Sequence, residues 1–275
     1  MREIVFDPTF DGWREAARGL LRAGVPPGET VWAEREGEQP LLGGLVEGAP
    51  AAGGAAADAP ARVPRRFVEV AERAACYRDA ARWPLLYRVL WRLTHGEPRL
   101  MDVVVDPDVH RIVAMEKSVR RDVHKMHAFV RFRRVAADDG ETFVAWFRPE
   151  HLVVEYATPF FARRFAAMRW SILGPDRSAF WDGRRLHFGP GVPRSAAPPP
   201  DALEALWRTY YAHIFNPARM KLGAMRAEMP KKYWDNLPEA AIIPALVQDA
   251  PARVAEMIER ARRELSRPAG RTPRR

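Results

Sequence analysis

PDVHRIVAMEKSVRRDVHKMHAFVRFRRVAADDGETFVAWF, residues 107–147, changes its hydrophobic period partway along. Ile112, Met115, Val119, Val123 and Met126 recur at three- and four-residue spacing, which predicts a helix from Asp106-Pro107 to about His127. At about 100° per residue, His110, Lys117, Arg121 and His124 fall opposite that stripe, with Glu116 and Asp122 on its flanks. From Ala128 to Val135 the period becomes two, with Phe129, Arg131 and Arg133 on one side. Asp138-Asp139-Gly140 supplies turn residues before a second strand, Thr142 to Phe147. A long helix running into a hairpin sets the fold class as α+β.

Working outward, the same mixture continues. Ile4 to Phe6 reads as a strand, Thr9 or Asp11 caps a helix through Leu21, and Glu29 to Ala33 reads as a second strand. Helices are expected from Pro64 to about Arg82 and from Pro84 to Leu93. Thr158-Pro159 is read as the cap of a short helix, Phe160 to Ala167. Strands follow at 170–173, 179–181 and 186–188, and further helices at about 203–214, from Asn216-Pro217, at 237–247 and at 252–265. The expected architecture is a small antiparallel sheet flanked by helices, with a helical C-terminal part. Its divisions are an N-terminal strand-helix-strand segment (1–47), an Ala/Gly/Pro-rich linker or loop (48–62), a main basic domain (63–265) and a disordered basic tail (266–275).

Composition narrows the function classes. Of 275 residues, 47% are hydrophobic, which excludes wholesale disorder, and the single cysteine, Cys76, excludes a disulfide scaffold or a Cys-type zinc site. No apolar run approaches the roughly 20 residues that span a bilayer, and residues 1–7 carry no signal-peptide core, so a cytoplasmic protein without membrane contact is expected. The Walker phosphate loop, the dinucleotide-binding glycine motif, H-E-x-x-H and G-x-S-x-G are all missing. His124 and His127 have no third ligand in view, so neither a metal nor a cofactor is implied.

The net charge of +9 is unevenly placed. Residues 1–60 hold 5 basic and 10 acidic side chains, net −5, so the 44 basic and 35 acidic residues of the whole chain leave +14 for the rest. Codon bias in an arginine-rich chain does not segregate charge this way, and a polyanionic partner does. The densest stretch, residues 110–134, has eight Arg/Lys against two acids. Its candidate nucleic-acid contacts are Lys117, Arg121, His124, Lys125, Arg131 and Arg133. A solvated helix face beside an ordinary sheet is the plain structural alternative.

Two further clusters carry chemistry-bearing side chains. Between 207 and 239 lie Asn216, Arg219, Lys231, Lys232 and Trp234, groups that stack on a splayed base or hydrogen-bond its edge, or that cap helices and fill core. Glu150 and His151 follow a strand, where a carboxylate and an imidazole can do acid–base work or form a turn. Glu150, His151 and Lys231 are therefore the candidate catalytic residues, Lys231 through an amine nucleophile.

The blocks Leu85 to Trp91, His124 to Arg133, Phe160 to Phe165, Met168 to Leu173, Ile214 to Arg219 and Glu228 to Trp234 resemble an uncharacterised bacterial family described as DNA metabolism or repair proteins. Its members are typically encoded beside a radical-SAM protein and sometimes fused to a uracil-DNA glycosylase superfamily domain. The chain departs from that pattern at Gly174, where the family places Thr before Pro175-Asp176. The resemblance implies a DNA-binding protein of DNA repair acting with a radical-SAM partner. A base- or nucleotide-processing hydrolase and a non-catalytic interaction module are the alternatives.

Overall fold

The N-terminal elements follow from two capped ends of one helix. The computed structural model describes residues 1–35, 62–137, 140–198, 208, 212, 215–219 and 222–265. Strand β1 (Arg2–Phe6) pairs in parallel with β2 (Thr30–Glu34), and helix α1 (Phe10–Arg22) lies between them in the chain. Thr9 Oγ1 accepts the Gly12 N–H at 3.0 Å, which satisfies one of the helix's open donors. At the other end Gly24, at φ +62, lets Val25 N–H reach the Leu20 carbonyl and its own N–H reach the Leu21 carbonyl. That is the left-handed helix stop that glycine permits at least strain.

The chain divides into two units, residues 1–128 with 146–197, and residues 129–145 with 198–275. In the first, Phe6, Trp13 and Leu20 share a core with helices α2 (Arg65–Ala75) and α3 (Arg82–Thr94). Trp83 and Tyr87 are fully buried there, and the Phe6 and Trp83 rings meet edge to face at 5.1 Å. The sequence predicts one helix from Pro64 to about Arg82, but α2 stops at Ala75. The Arg82 side chain, 1% exposed, donates to the carbonyls of Ala75 at 2.8 Å and Arg78 at 3.3 Å. It gives the carbonyl of Ala75, the last residue of α2, a partner that the helix itself does not supply.

Helix α4 (Pro107–Phe129) is the longest element of this unit. Asp106 caps it, Oδ1 taking the N–H groups of Asp108 and Val109 at 3.0 and 3.1 Å. Ile112, Val119 and Met126 are fully buried, as their spacing predicts. The expected strand from Ala128 is a correction: the helix runs on through Phe129. Phe129, buried and three residues after the buried Met126, carries the helical stripe one position further, and the strand begins only at Arg133.

Helix α5 (Val154–Arg164) begins before the predicted cap at Thr158 and carries Pro159 inside it. Thr158 is fully buried, and its hydroxyl donates to the Val154 carbonyl at 2.8 Å. It also approaches, at 3.5 Å, the Glu155 carbonyl, whose helical partner Pro159 cannot provide. Strands β5 (Trp170–Leu173), β6 (Arg177–Trp181) and β7 (Leu186–Pro190) form an antiparallel meander, with Trp170 opposite Trp181 and Ala179 opposite Phe188. A Cβ at Gly174 would lie 2.8 Å from the Arg177 carbonyl oxygen and 3.2 Å from that of Phe147. The backbone therefore leaves no room for a side chain at residue 174.

The second unit contains strand β3 (Arg133–Ala137), paired antiparallel with β4 (Gly140–Trp146) from Arg133 opposite Val144. It also holds helix α6 (Leu222–Glu228), a 3-10 stretch at Lys231–Asn236 and helix α7 (Ile243–Leu265). Two helices are predicted across this last region, but α7 is continuous through Pro251, next to the buried Ala250. The fold is α+β. The Ala/Gly/Pro stretch to Ala61, most of the expected helix at 203–214 and the tail 266–275 lie outside the described residues.

Candidate nucleic-acid interface

The amphipathic spacing of α4 fixes which side chains it shows to solvent. His110, Arg111, Lys117, Arg120, Arg121 and His124 are all exposed, and Lys125 at the edge of this face is half-buried. From His110 to His124 the stripe extends about 21 Å along the helix. Among the described residues, the side chains of Lys117, Arg120 and Arg121 make no hydrogen bond and no ion pair.

The acids of α4 explain that isolation, because each is drawn to another side of the helix and held there. Asp108 receives two hydrogen bonds from Arg88, at 2.6 and 2.9 Å, and one from Arg92 at 3.2 Å. Glu116, 8% exposed, pairs with Arg73 at 3.3 Å. Asp122, 4% exposed, accepts the His151 backbone N–H at 2.8 Å. The Arg88 hydrogen bonds hold the Asp108 carboxyl below the usual carboxylate range, and Arg92 does the same for Asp106. Anionic side chains are thus spent inward, and the outward face is left with uncompensated positive charge.

The remaining predicted contacts have other occupations. Arg131 pairs with Glu239 at 2.7 Å, and the Glu239 side chain is 3% exposed. Arg133 donates to the Pro198 carbonyl, and Phe129 is buried with its ring 5.5 Å from that of Tyr233. Asn216 accepts the Ala218 N–H at 3.0 Å, a capping contact at the 3-10 turn Pro217–Arg219. Arg219 closes that turn. The Trp234 indole donates to the Met229 carbonyl at 3.0 Å. Lys231 and Lys232 are exposed, with the Lys232 ammonium 5.1 Å from the Tyr233 ring centre. These residues belong to the second unit, whereas Lys117, Arg121, His124 and Lys125 belong to the first.

Glu150 and His151 are neighbours in the chain with different surroundings. Glu150 is exposed, its carbonyl accepting Arg78 Nε at 2.9 Å, while His151 is 5% exposed. The imidazole Nε2 lies 2.9 Å from Ser118 Oγ, and its ring lies 4.5 Å from that of Tyr77. Ser118 has no motif around it in the sequence, and only the tertiary approach of α4 to residue 151 identifies it. His151 also borders a cleft of about 790 Å³, with Cys76, Glu155 and Arg177 on its walls. Burial pushes the Cys76 thiol up to about 12, so it stays protonated and inert at neutral pH.

His127, three residues from His124 in the sequence, is turned elsewhere. Its Nε2 meets the Ala157 carbonyl at 3.1 Å and its ring stacks on Phe160 at 4.1 Å. Among the described residues no group of three or more His, Cys, Asp or Glu side chains is placed to hold a metal ion, and no helix is long and apolar enough to cross a membrane.

Comparison with known families gives one match, to a family described as "Domain of unknown function (DUF4130)", over residues 80–239. The matched span takes in α3, all of α4 and the Arg131–Glu239 pair, and leaves out β1, α1, β2 and α2. No curated protein and no solved structure matches the chain.

Proposed function

We propose that this chain, which belongs to the DUF4130 family, is a DNA-binding protein of DNA repair or metabolism that holds the phosphate backbone on the exposed face of α4. The observation that carries the proposal is the segregation of charge on one helix. Lys117, Arg120 and Arg121 face solvent without acidic partners, while Asp108, Glu116 and Asp122 are all engaged on other sides. A helix face kept clear of acids suits a polyanion. The resemblance to DNA-repair proteins encoded beside a radical-SAM protein supports reading the polyanion as DNA and the partner as a radical-SAM protein. Chemistry then falls to that partner or is shared with it.

Counterion release sets the test. Three phosphate contacts give a slope of log K against log salt of about −2.7 on duplex DNA. Gel shifts of the full chain on single-stranded, duplex, uracil-containing and abasic DNA at a series of salt concentrations measure it. Lys117→Ala with Arg121→Ala is expected to make the slope shallower by about 1.8. Both side chains are exposed, so the melting temperature of the variant stays near that of the parent. Absent or salt-insensitive binding overturns the proposal.

A further inference from the structure

The loop that feeds α4 carries apolar surface with no core behind it. Val103, Val104 and Val105 are 46%, 68% and 88% exposed, one residue beyond Leu100 and Met101, each 2% exposed, with Asp102 between. Three successive valines facing water forgo the burial that branched aliphatic side chains ordinarily obtain, about 1.5 kcal/mol or more apiece.

The loop is nevertheless firmly built. Val103 N–H donates to the Leu100 carbonyl at 3.0 Å and Asp106 N–H to the Val103 carbonyl at 3.1 Å. Asp106 caps α4, and Arg92 grips Asp106 and Glu97 at 2.7 Å each. The acids around the loop are matched: Asp102 by Arg66 at 3.5 Å, Glu97 and Asp106 by Arg92, and Asp108 by Arg88. An apolar tip whose ends are hydrogen-bonded and whose neighbouring acids are paired therefore leads into the cationic stripe, whose first exposed members are His110 and Arg111.

We infer that Val104 and Val105 form an apolar contact that packs against the sugar and base edges of a DNA groove while α4 holds the adjoining phosphates. This rests on the DNA reading of α4. The tip and the stripe are one continuous segment joined by the Asp106 cap, so a polyanion on the helix face lies within reach of the valines. DNA offers both surfaces together: phosphates outside, and deoxyribose and thymine methyl groups within the grooves. An anionic lipid surface would also offer both, but insertion into it favours Trp, Phe and Leu, and the tip has valine alone.

The contact has a signature distinct from that of the helix face, because it removes no phosphate partner. Val104→Ser with Val105→Ser is expected to weaken duplex DNA binding by about tenfold at every salt concentration, with the salt slope unchanged. The single variant Val105→Ser, at the most exposed position, is expected to show a smaller loss of the same kind, with the melting temperature of the parent. Unchanged DNA affinity in the double variant overturns the inference and leaves the DNA reading intact. So does a sedimentation assay in which the double variant loses binding to phosphatidylserine vesicles alone. If the parent chain binds no DNA, the reading of α4 fails first and the inference with it.

Discussion

Helix α4 and the β3–β4 hairpin share one basic run in the sequence, residues 110–134, yet they use their arginines in opposite ways. On α4, the acids are held elsewhere and Lys117, Arg120 and Arg121 remain exposed. Around the hairpin, Arg131 is matched to a buried Glu239, Arg133 to the Pro198 carbonyl and Arg134 to Glu141. Charge density along the chain does not distinguish a cation offered to a ligand from one consumed by the fold. What distinguishes them is where the compensating oxygen lies, and for Arg131 it lies 108 residues away.

The largest test of that contrast is Glu239→Ala. It leaves the Arg131 guanidinium, 16% exposed, without its acid, and breaking a buried pair in this way costs about 3 kcal/mol. We place the effect at the lower end of the usual range because Glu239 Oε2 has no hydrogen-bond partner among the described residues, so the carboxylate is already incompletely compensated. Urea denaturation measures the loss, and Arg131→Met with Glu239→Leu is expected to regain most of it. An unchanged midpoint for Glu239→Ala would remove the structural role of Arg131 and with it the contrast.

Much of the first unit was legible because local rules decide it. The Thr9 cap, the Gly24 stop, the buried stripe of α4 and the strands around Asp182-Gly183 all follow from spacing and turn chemistry within a few residues. The misplacements have long-range or competing causes. Arg82 ends α2 by turning its own side chain back on that helix, which no propensity of residues 76–81 announces. The stretch Phe129 to Arg133 alternates convincingly, but Phe129 also continues the helical stripe of α4 and is buried there, so the strand starts only at Arg133. For the candidate site, the face of Lys117, Arg121 and His124 was readable from the wheel alone. The engagement of Arg131 and the approach of Ser118 to His151 were not, since each needs a partner distant in sequence.

Acidification probes the charges that keep the face of α4 clear, and its effect is smaller. Burial, opposed by the Ala157 carbonyl and aided by nearby His124 and Arg163, lowers the His127 pKa in the folded chain. The unfolded state therefore binds this proton first, and stability begins to decline as pH falls below about 6.5. Asp106 and Asp108 have lowered values because of Arg92 and Arg88, so their contribution holds above about pH 4 and is lost as pH falls through their folded values. Thermal melts from pH 8 to 3 are expected to show a shallow decline and then a steeper one, with the lower part flattened in Asp108→Asn. A lower decline of the same depth in that variant would show that Asp108 does not anchor the start of α4.

The smallest expected effect separates the two regions most sharply. Arg134 and Glu141 lie diagonally across the hairpin, 3.2 Å apart, with side chains 53% and 62% exposed. Water and salt screen such a pair, and holding two long side chains together costs entropy, so its contribution stays below about 0.5 kcal/mol. Arg134→Ala is therefore expected to leave the denaturation midpoint where it is. It is also expected to leave the salt slope of DNA binding unchanged, whereas the paired Lys117 and Arg121 substitutions reduce it. Each phosphate contact contributes about 0.9 to that slope, so one measurement decides whether the hairpin touches the backbone. A slope shallower by that amount in Arg134→Ala would extend the interface beyond α4 and dissolve the distinction between offered and consumed arginines.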